Sequence, residues 1–203
     1  MAAATAPWQP SLLTSGDEPS FDADFGAAVR RDLGTGAWVD VVPGWVTGAD
    51  ALFESVLAAG AWSTRDRPMY DRMVTEPRLH TGLWEDPPAP ARAMAGALSA
   101  RYGLDLSAVT ANLYRDGSDS VAWHGDTSGR HRETTVVAIV SLGSARRFLL
   151  RPKAGGPSLR FTPGHGDLFV LGGTCQRTWE HSVPKCSSAG PRISLMFREP
   201  GVF

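Results

Sequence analysis

In the stretch Trp123-His124-Gly125-Asp126 an imidazole and a carboxylate stand two residues apart. On an extended strand, residues two apart point to the same face, so His124 and Asp126 can meet at one point in space. A His-x-Asp on its own is common by chance. A second imidazole, His181, lies in Trp179-Glu180-His181-Ser182-Val183-Pro184, at the start of another run with strand character. Two His and one carboxylate form the ligand set of a non-haem iron(II) oxygenase, which leaves three coordination positions open. Zinc hydrolysis can use similar ligands, so the triad alone does not name the reaction.

The last strand-like run, Arg192–Arg198, alternates cleanly: Arg192, Ser194, Met196 and Arg198 take one face, and Ile193, Leu195 and Phe197 the other. If the first face is interior, both guanidiniums need anions, because an unpaired buried charge is costly. A dicarboxylate would satisfy both, each Arg offering a planar fork to one carboxylate. Asn112-Leu113-Tyr114 repeats the geometry, with amide and phenol sharing a face as neutral partners for carboxylate or keto oxygens.

The elements that must position these groups are short. Residues 1–35 read as a loosely ordered arm and residues 36–203 as a single domain. A strand is expected over Ala37–Val42. A helix follows over Ala49–Ala59, capped by Thr47 and stopped by Gly60, with Leu52, Phe53, Val56 and Leu57 on its apolar face. Residues 62–87 read as irregular, and Pro90–Tyr102 as a second helix closing at Gly103. Eight strand-like runs come next: Val109–Tyr114, Val121–His124, Thr135–Leu142, Phe148–Arg151, Leu159–Thr162, Asp167–Leu171, His181–Val183 and Arg192–Arg198. Two helices followed by many short strands predict a mainly β sandwich or barrel with helices packed on one side.

Read together, residues 112–126, Ser141-Leu142-Gly143, Arg146-Arg147-Phe148, Gly166-Asp167-Leu168, His181–Pro184 and Pro191-Arg192 to Arg198 resemble the AlkB family of iron(II)- and 2-oxoglutarate-dependent dioxygenases. The likeness covers roughly residues 109–199, and Pro77-Arg78-Leu79 upstream is also similar to family members. It implies a double-stranded β-helix (jelly roll). Within it His124, Asp126 and His181 would hold Fe(II). Arg192, helped by Tyr114, would pair with the distal carboxylate of 2-oxoglutarate, and Arg198 and Asn112 would serve its other end. With O2, such an enzyme decarboxylates 2-oxoglutarate to succinate and oxidises an N-alkyl carbon, which leaves the base as an aldehyde. The protein orients the pieces while the metal carries the hard chemistry.

The implied partner is alkylated single- or double-stranded nucleic acid, with the base flipped out of any duplex. Segment 62–87 stands where the family places its nucleotide-recognition lid, so Met69, Tyr70, Arg72, Arg78 and Trp84 are the candidates for stacking or phosphate contact. Many base-repairing relatives carry an acid two positions after the metal-binding Asp. Ser128 occupies that position here and can hydrogen-bond without charge, and Glu180 precedes the metal-binding His where some relatives have an aromatic. Both departures bear on which lesion is read.

Composition bounds the rest. Lys and Arg number 20 against 21 Asp and Glu, a net charge of -1, which excludes a strong non-specific binder of nucleic acid. Residues 127–160 nonetheless carry Arg130, Arg132, Arg146, Arg147, Arg151, Lys153 and Arg160 against one acid, Glu133, a local surface for phosphates. No apolar stretch could span a bilayer, the N-terminus lacks signal-peptide character, and Cys175 and Cys186 are too few for a disulfide framework. A cytoplasmic monomer is expected. The rival functions are a 2-oxoglutarate-dependent hydroxylase of a protein or small molecule and a catalytically silent jelly-roll binding module.

Overall fold

The computed structural model describes residues 17–69, 72–126 and 131–201. Its strands are β1 (Ser20–Phe21), β2 (Val29–Gly34), β3 (Ala37–Val42), β4 (Val46–Thr47), β5 (Asp66–Met69), β6 (Arg72–Thr75), β7 (Leu79–His80), β8 (Ala108–Tyr114), β9 (Val121–His124), β10 (Val137–Gly143), β11 (Phe148–Pro152), β12 (Leu159–Phe161), β13 (Asp167–Gly173), β14 (Trp179–Val183) and β15 (Arg192–Arg198). The helices are α1 (Ala49–Ala59), α2 (Ala89–Tyr102) and the short α3 (Cys175–Thr178). No helix among the described residues is long and apolar enough to cross a membrane.

Two antiparallel sheets make the jelly roll. The larger has the order β2-β3-β13-β10-β15-β8-β7, and the smaller β12-β11-β14-β9. Period-two alternation assigns each residue to a layer. On β10, Val137 and Ile139 join Tyr114, Phe148, Leu150, Phe169 and Val183 in one apolar cluster, while Ala138, Val140 and Leu142 belong to another that includes residues of α1 and α2. A slip of one residue would exchange these faces, so burial on both sides pins the register. That register sets Tyr114 opposite Arg192 and Asn112 opposite Ser194.

The two longer helices cover the outer face of the large sheet with Leu52, Phe53, Val56, Met94 and Leu98, all fully buried. Thr47 is not the cap of α1. Gly48 takes that position in the left-handed conformation at φ 63°, and the Thr47 hydroxyl instead bonds Ser20 Oγ at 2.6 Å. A Cβ on Gly48 would lie 2.6 Å from the carbonyl oxygens of Asp17 and Glu18, so only glycine fits this close approach. Helix α2 closes on Gly103 as expected, at φ 66°.

Two expectations change. Part of the stretch read as a loose arm builds structure: β1 pairs with β4, and β2 extends the large sheet beside β3. Phe21 and Phe25 gather on Trp45, with ring centroids 5.1 and 5.5 Å away, and the Trp45 indole N–H donates to the Asp22 carbonyl at 2.8 Å. Arg30 closes a two-bond fork on Asp40, each bond 2.7 Å. The segment 62–87, read as irregular, holds an antiparallel hairpin, β5–β6, and strand β7 at the edge of the large sheet.

Candidate metal centre and cosubstrate pocket

The expected triad converges. His124 ends β9 and His181 lies directly opposite it on β14, so neighbouring strands present the two rings side by side with centroids 4.2 Å apart. Asp126 follows after Gly125, and its Oδ1 stands 4.0 Å from His124 Nε2. One donor atom from each of His124, Asp126 and His181 lies within 4.8 Å of the others. Gly125 is required by the turn between two of them, because a Cβ there would lie 2.8 Å from the Gln176 carbonyl oxygen. His124 Nδ1 sits 2.8 Å from the Ala122 carbonyl, so Nδ1 carries the proton and Nε2 keeps its lone pair toward Asp126. Phe148 stacks on His181 at 5.3 Å and 12° and fixes the plane of its ring.

Charge suits the same task. Burial would raise the Asp126 carboxyl, but Arg198, with His181 and His124 behind it, more than reverses this and holds it well below the usual carboxylate range. Burial and the neighbouring His124 push His181 down to about 3, so it is neutral at pH 7. Two imidazoles, that of His181 neutral, and one ionised carboxylate on one side of a cavity are a donor set for a divalent metal with open positions.

The cavity continues inward along β8 and β15. Its wall includes Asn112, Tyr114, Ser194, Met196 and Arg198, with apolar Val121, Val137, Ile139 and Val183. Behind two of these wall residues, Ser194 and Tyr114, Arg192 is 1% exposed. Its guanidinium donates to the hydroxyls of Ser141 at 3.1 Å and Ser194 at 2.5 Å, and no carboxylate among the described residues pairs with it. Burial drives its pKa down to about 10, with the Arg146 and Arg78 charges adding to the effect. Arg78, Arg146 and Arg192 stand 5.8, 5.7 and 5.4 Å from the Tyr114 ring centre. A buried guanidinium with hydroxyl partners and surplus cationic charge around it fits an anion.

The 2OG-Fe(II) oxygenase superfamily model matches residues 51–198. The chain belongs to that superfamily. It is an AlkB-like member. The alpha-ketoglutarate-dependent dioxygenase alkB homolog 3 of Bos taurus is 28% identical over 186 residues, 79% of this chain and 65% of that protein. The Homo sapiens form is 30% identical over 148 residues, 68% and 50% of the two chains. The DNA oxidative demethylase ALKBH2 of Arabidopsis thaliana is 32% identical over 139 residues, 57% and 44%. The chain thus spans between 44% and 65% of the length of these relatives. The solved structure of OsALKBH1 superposes with a TM-score of 0.55 at 16% identity, over 84% of this chain and 100% of that one. A 2OG-Fe(II) oxygenase family oxidoreductase from Burkholderia pseudomallei gives 0.54 at 14%, over 87% and 89%. Both share the fold. That superfamily is one of 2OG-Fe(II) oxygenases, and the His124, Asp126 and His181 cluster is a donor set that fits its metal.

The remaining expected residues of this oxygenase scatter. Arg78 lies beside the triad's cavity. It is largely buried in the cavity wall, donating to Tyr114 Oη at 2.9 Å and to Glu76 at 3.2 Å. Trp84 packs against the cluster on the helix side of the large sheet, away from the triad, and bonds through its backbone N–H to the Val109 carbonyl. Met69 and Arg72 are backbone register partners at the end of the β5–β6 hairpin. Tyr70 and Ser128 lie outside the described residues.

The basic segment is also less free than its composition implied. Arg146 is buried and donates to the Asp116, Asp119 and Pro184 carbonyls at 2.8–2.9 Å. Arg151 holds Glu180 at 2.8 Å and lies 4.3 Å over Trp123, and Arg132 pairs with Glu199. Sequence reasoning missed α3. Gln176 Oε1 accepts from the Asp126 N–H at 2.9 Å, and Arg177 donates to the Asp126 carbonyl at 3.1 Å. One turn of helix leaves too short a period to be legible, and the only available signal was two polar residues shortly before His181.

Proposed function

We propose that this chain oxidatively demethylates N-alkylated bases in DNA or RNA. His124 Nε2, Asp126 Oδ1 and His181 hold the metal, Arg192 and Tyr114 take the distal carboxylate of 2-oxoglutarate, and Arg198 and Asn112 line its keto-acid end. The observation that carries the cosubstrate assignment is Arg192, a fully buried guanidinium with hydroxyl partners and no acid. The nucleic-acid reading draws on the resemblance to alkB homolog 3 and to a DNA oxidative demethylase.

Each side chain has a stated task. Arg198 keeps Asp126 ionised by bonding its Oδ2, which leaves Oδ1 on the side of His124. Tyr114 accepts from Arg78, so its own hydroxyl proton is available to a carboxylate in the pocket. Val121, Val137, Ile139 and Val183 give that pocket its apolar wall, and a lower local dielectric strengthens charge pairs beside it. When bound, iron supplies O2 activation coupled to decarboxylation of 2-oxoglutarate to succinate and oxidation of the N-alkyl carbon.

A second reading, hydroxylation of a protein or small molecule, draws on the internal pairing of Arg132, Arg146 and Arg151, which leaves fewer cations for phosphate. An assay with Fe(II), 2-oxoglutarate and a panel of methylated oligonucleotides separates the two. The demethylase reading expects succinate formation stimulated by methylated strands, with unmodified base as product. Succinate formation indifferent to every oligonucleotide would favour the second reading.

A further inference from the structure

Beside Asp126 lies a small second cavity, sharing Asp126, Val137 and Arg198 with the first and walled further by Thr135, Val136, Gln176 and Glu199, with room for about one water. Two buried polar atoms belong to residues of this wall. Gln176, 2% exposed, uses its amide oxygen on the Asp126 N–H, which settles the orientation of the amide and leaves Nε2 without a protein partner among the described residues. Thr135, 7% exposed, has its Oγ1 in the same condition. Buried donors and acceptors left bare are costly, and a water with two to four polar partners is the usual remedy. The two residues belong to one local frame: the Thr135 N–H donates to the Gly173 carbonyl at 3.0 Å, and α3, which carries Gln176, begins two residues later.

We propose that this cavity is an ordered-water site bridging Gln176 Nε2 and Thr135 Oγ1, and that Gln176, so braced, is a positioning residue that sets Asp126 for metal binding. The water removes the freedom of the Gln176 amide to rotate. The fixed amide oxygen holds the Asp126 N–H, and Arg177 holds the Asp126 carbonyl from the next residue of α3. With Gly125 allowing close passage under the Gln176 carbonyl, the backbone of the acidic ligand is held at both ends of one residue. The inference rests on the assignment of Asp126 as a metal ligand.

The test is titration of the full chain with Mn(II), a redox-stable stand-in for the metal, followed by calorimetry. Outer partners of metal ligands are worth roughly 10–100-fold in affinity, so Gln176→Leu should weaken Mn(II) binding by about that factor. Thr135→Val, nearly the same shape without the hydroxyl, should weaken it several-fold with an unchanged circular dichroism spectrum. The double variant should be no worse than Gln176→Leu, because the bridge is already gone. Thr135→Val binding Mn(II) as the wild type does, or effects that multiply in the double variant, would overturn the proposal. Thr135→Val keeps the test decisive if Gln176→Leu does not fold. Failure of the wild type itself to bind Mn(II) would instead overturn the metal assignment beneath it. A high-resolution crystal structure should show a water about 3 Å from both atoms, and a dry, collapsed cavity would contradict it.

Discussion

Arg198 closes on Asp126 through two nitrogens, Nε at 3.0 Å and Nη2 at 2.9 Å, both directed at Oδ2. Its remaining nitrogen donates to Thr110 Oγ1 at 3.0 Å, so the guanidinium is anchored in β8 while it orients a carboxylate beyond the end of β9. Oδ1 is left on the side of His124, 4.0 Å from its Nε2. Arg198→Met should therefore weaken Mn(II) binding at pH 7 by roughly tenfold or more, since an outer partner of a ligand is lost. Calorimetric affinity within twofold of wild type would show that Asp126 does not depend on this pair.

Arg192→Met should leave the fold intact, because replacing an unneutralised buried cation by an apolar chain relieves desolvation. The 2-oxoglutarate requirement should rise, since a charge-assisted bond is worth about 1.5–3 kcal/mol, roughly 10–150-fold. Steady-state kinetics in 2-oxoglutarate reads this directly. An unchanged KM would remove Arg192 from the cosubstrate site.

Acid should destabilise the metal-free enzyme partly through His165. Its Nδ1 accepts the Gly143 N–H at 2.8 Å, and Nε2 faces Asp50 Oδ1 at 3.1 Å. Burial holds its pKa below the ordinary value against the opposing pull of Asp50 and Asp167. The unfolded chain then binds the proton more readily, so the stability from neutral His165 is full above about pH 6.5 and is lost as pH falls below it. His165→Asn, which keeps an acceptor for Gly143, should flatten the fall in Tm between about pH 7 and 5. Parallel curves for the two proteins would contradict this.

Arg147 is exposed, and Arg151 is engaged by Glu180 and Trp123. If segment 127–160 meets phosphate, Arg147→Ala should reduce the salt slope of oligonucleotide binding by about 0.7–0.9, and Arg151→Ala by less. Equal slopes in all three proteins would place the nucleic acid elsewhere.

The shared face of Asn112, Tyr114, Arg192 and Arg198 was legible because β8 and β15 bury both faces. Their alternation assigned Asn112, Tyr114, Arg192 and Arg198 to one side before any pairing was known. The triad was legible as residue types, and the His124–His181 pairing supplied the convergence. Strand β2 was hidden because an edge strand rich in charge has no buried period to read. The Thr47 cap failed because the close approach of residues 17 and 18 to Gly48 is not a local property. The place of Arg78 in the cavity wall was not legible for a similar reason: its bond to Tyr114 joins residues far apart in sequence, and composition near the hairpin gives no hint of it.

The central claim is that His124, Asp126 and His181 drive 2-oxoglutarate-dependent demethylation. Its most direct measurement is succinate and demethylated base formed from methylated oligonucleotide by the wild type and by Asp126→Ala, with folding checked by circular dichroism. The account predicts both products in stoichiometric step from the wild type and neither from the folded variant. Turnover retained by Asp126→Ala, or succinate formed by the wild type with the methylated base untouched, would contradict it.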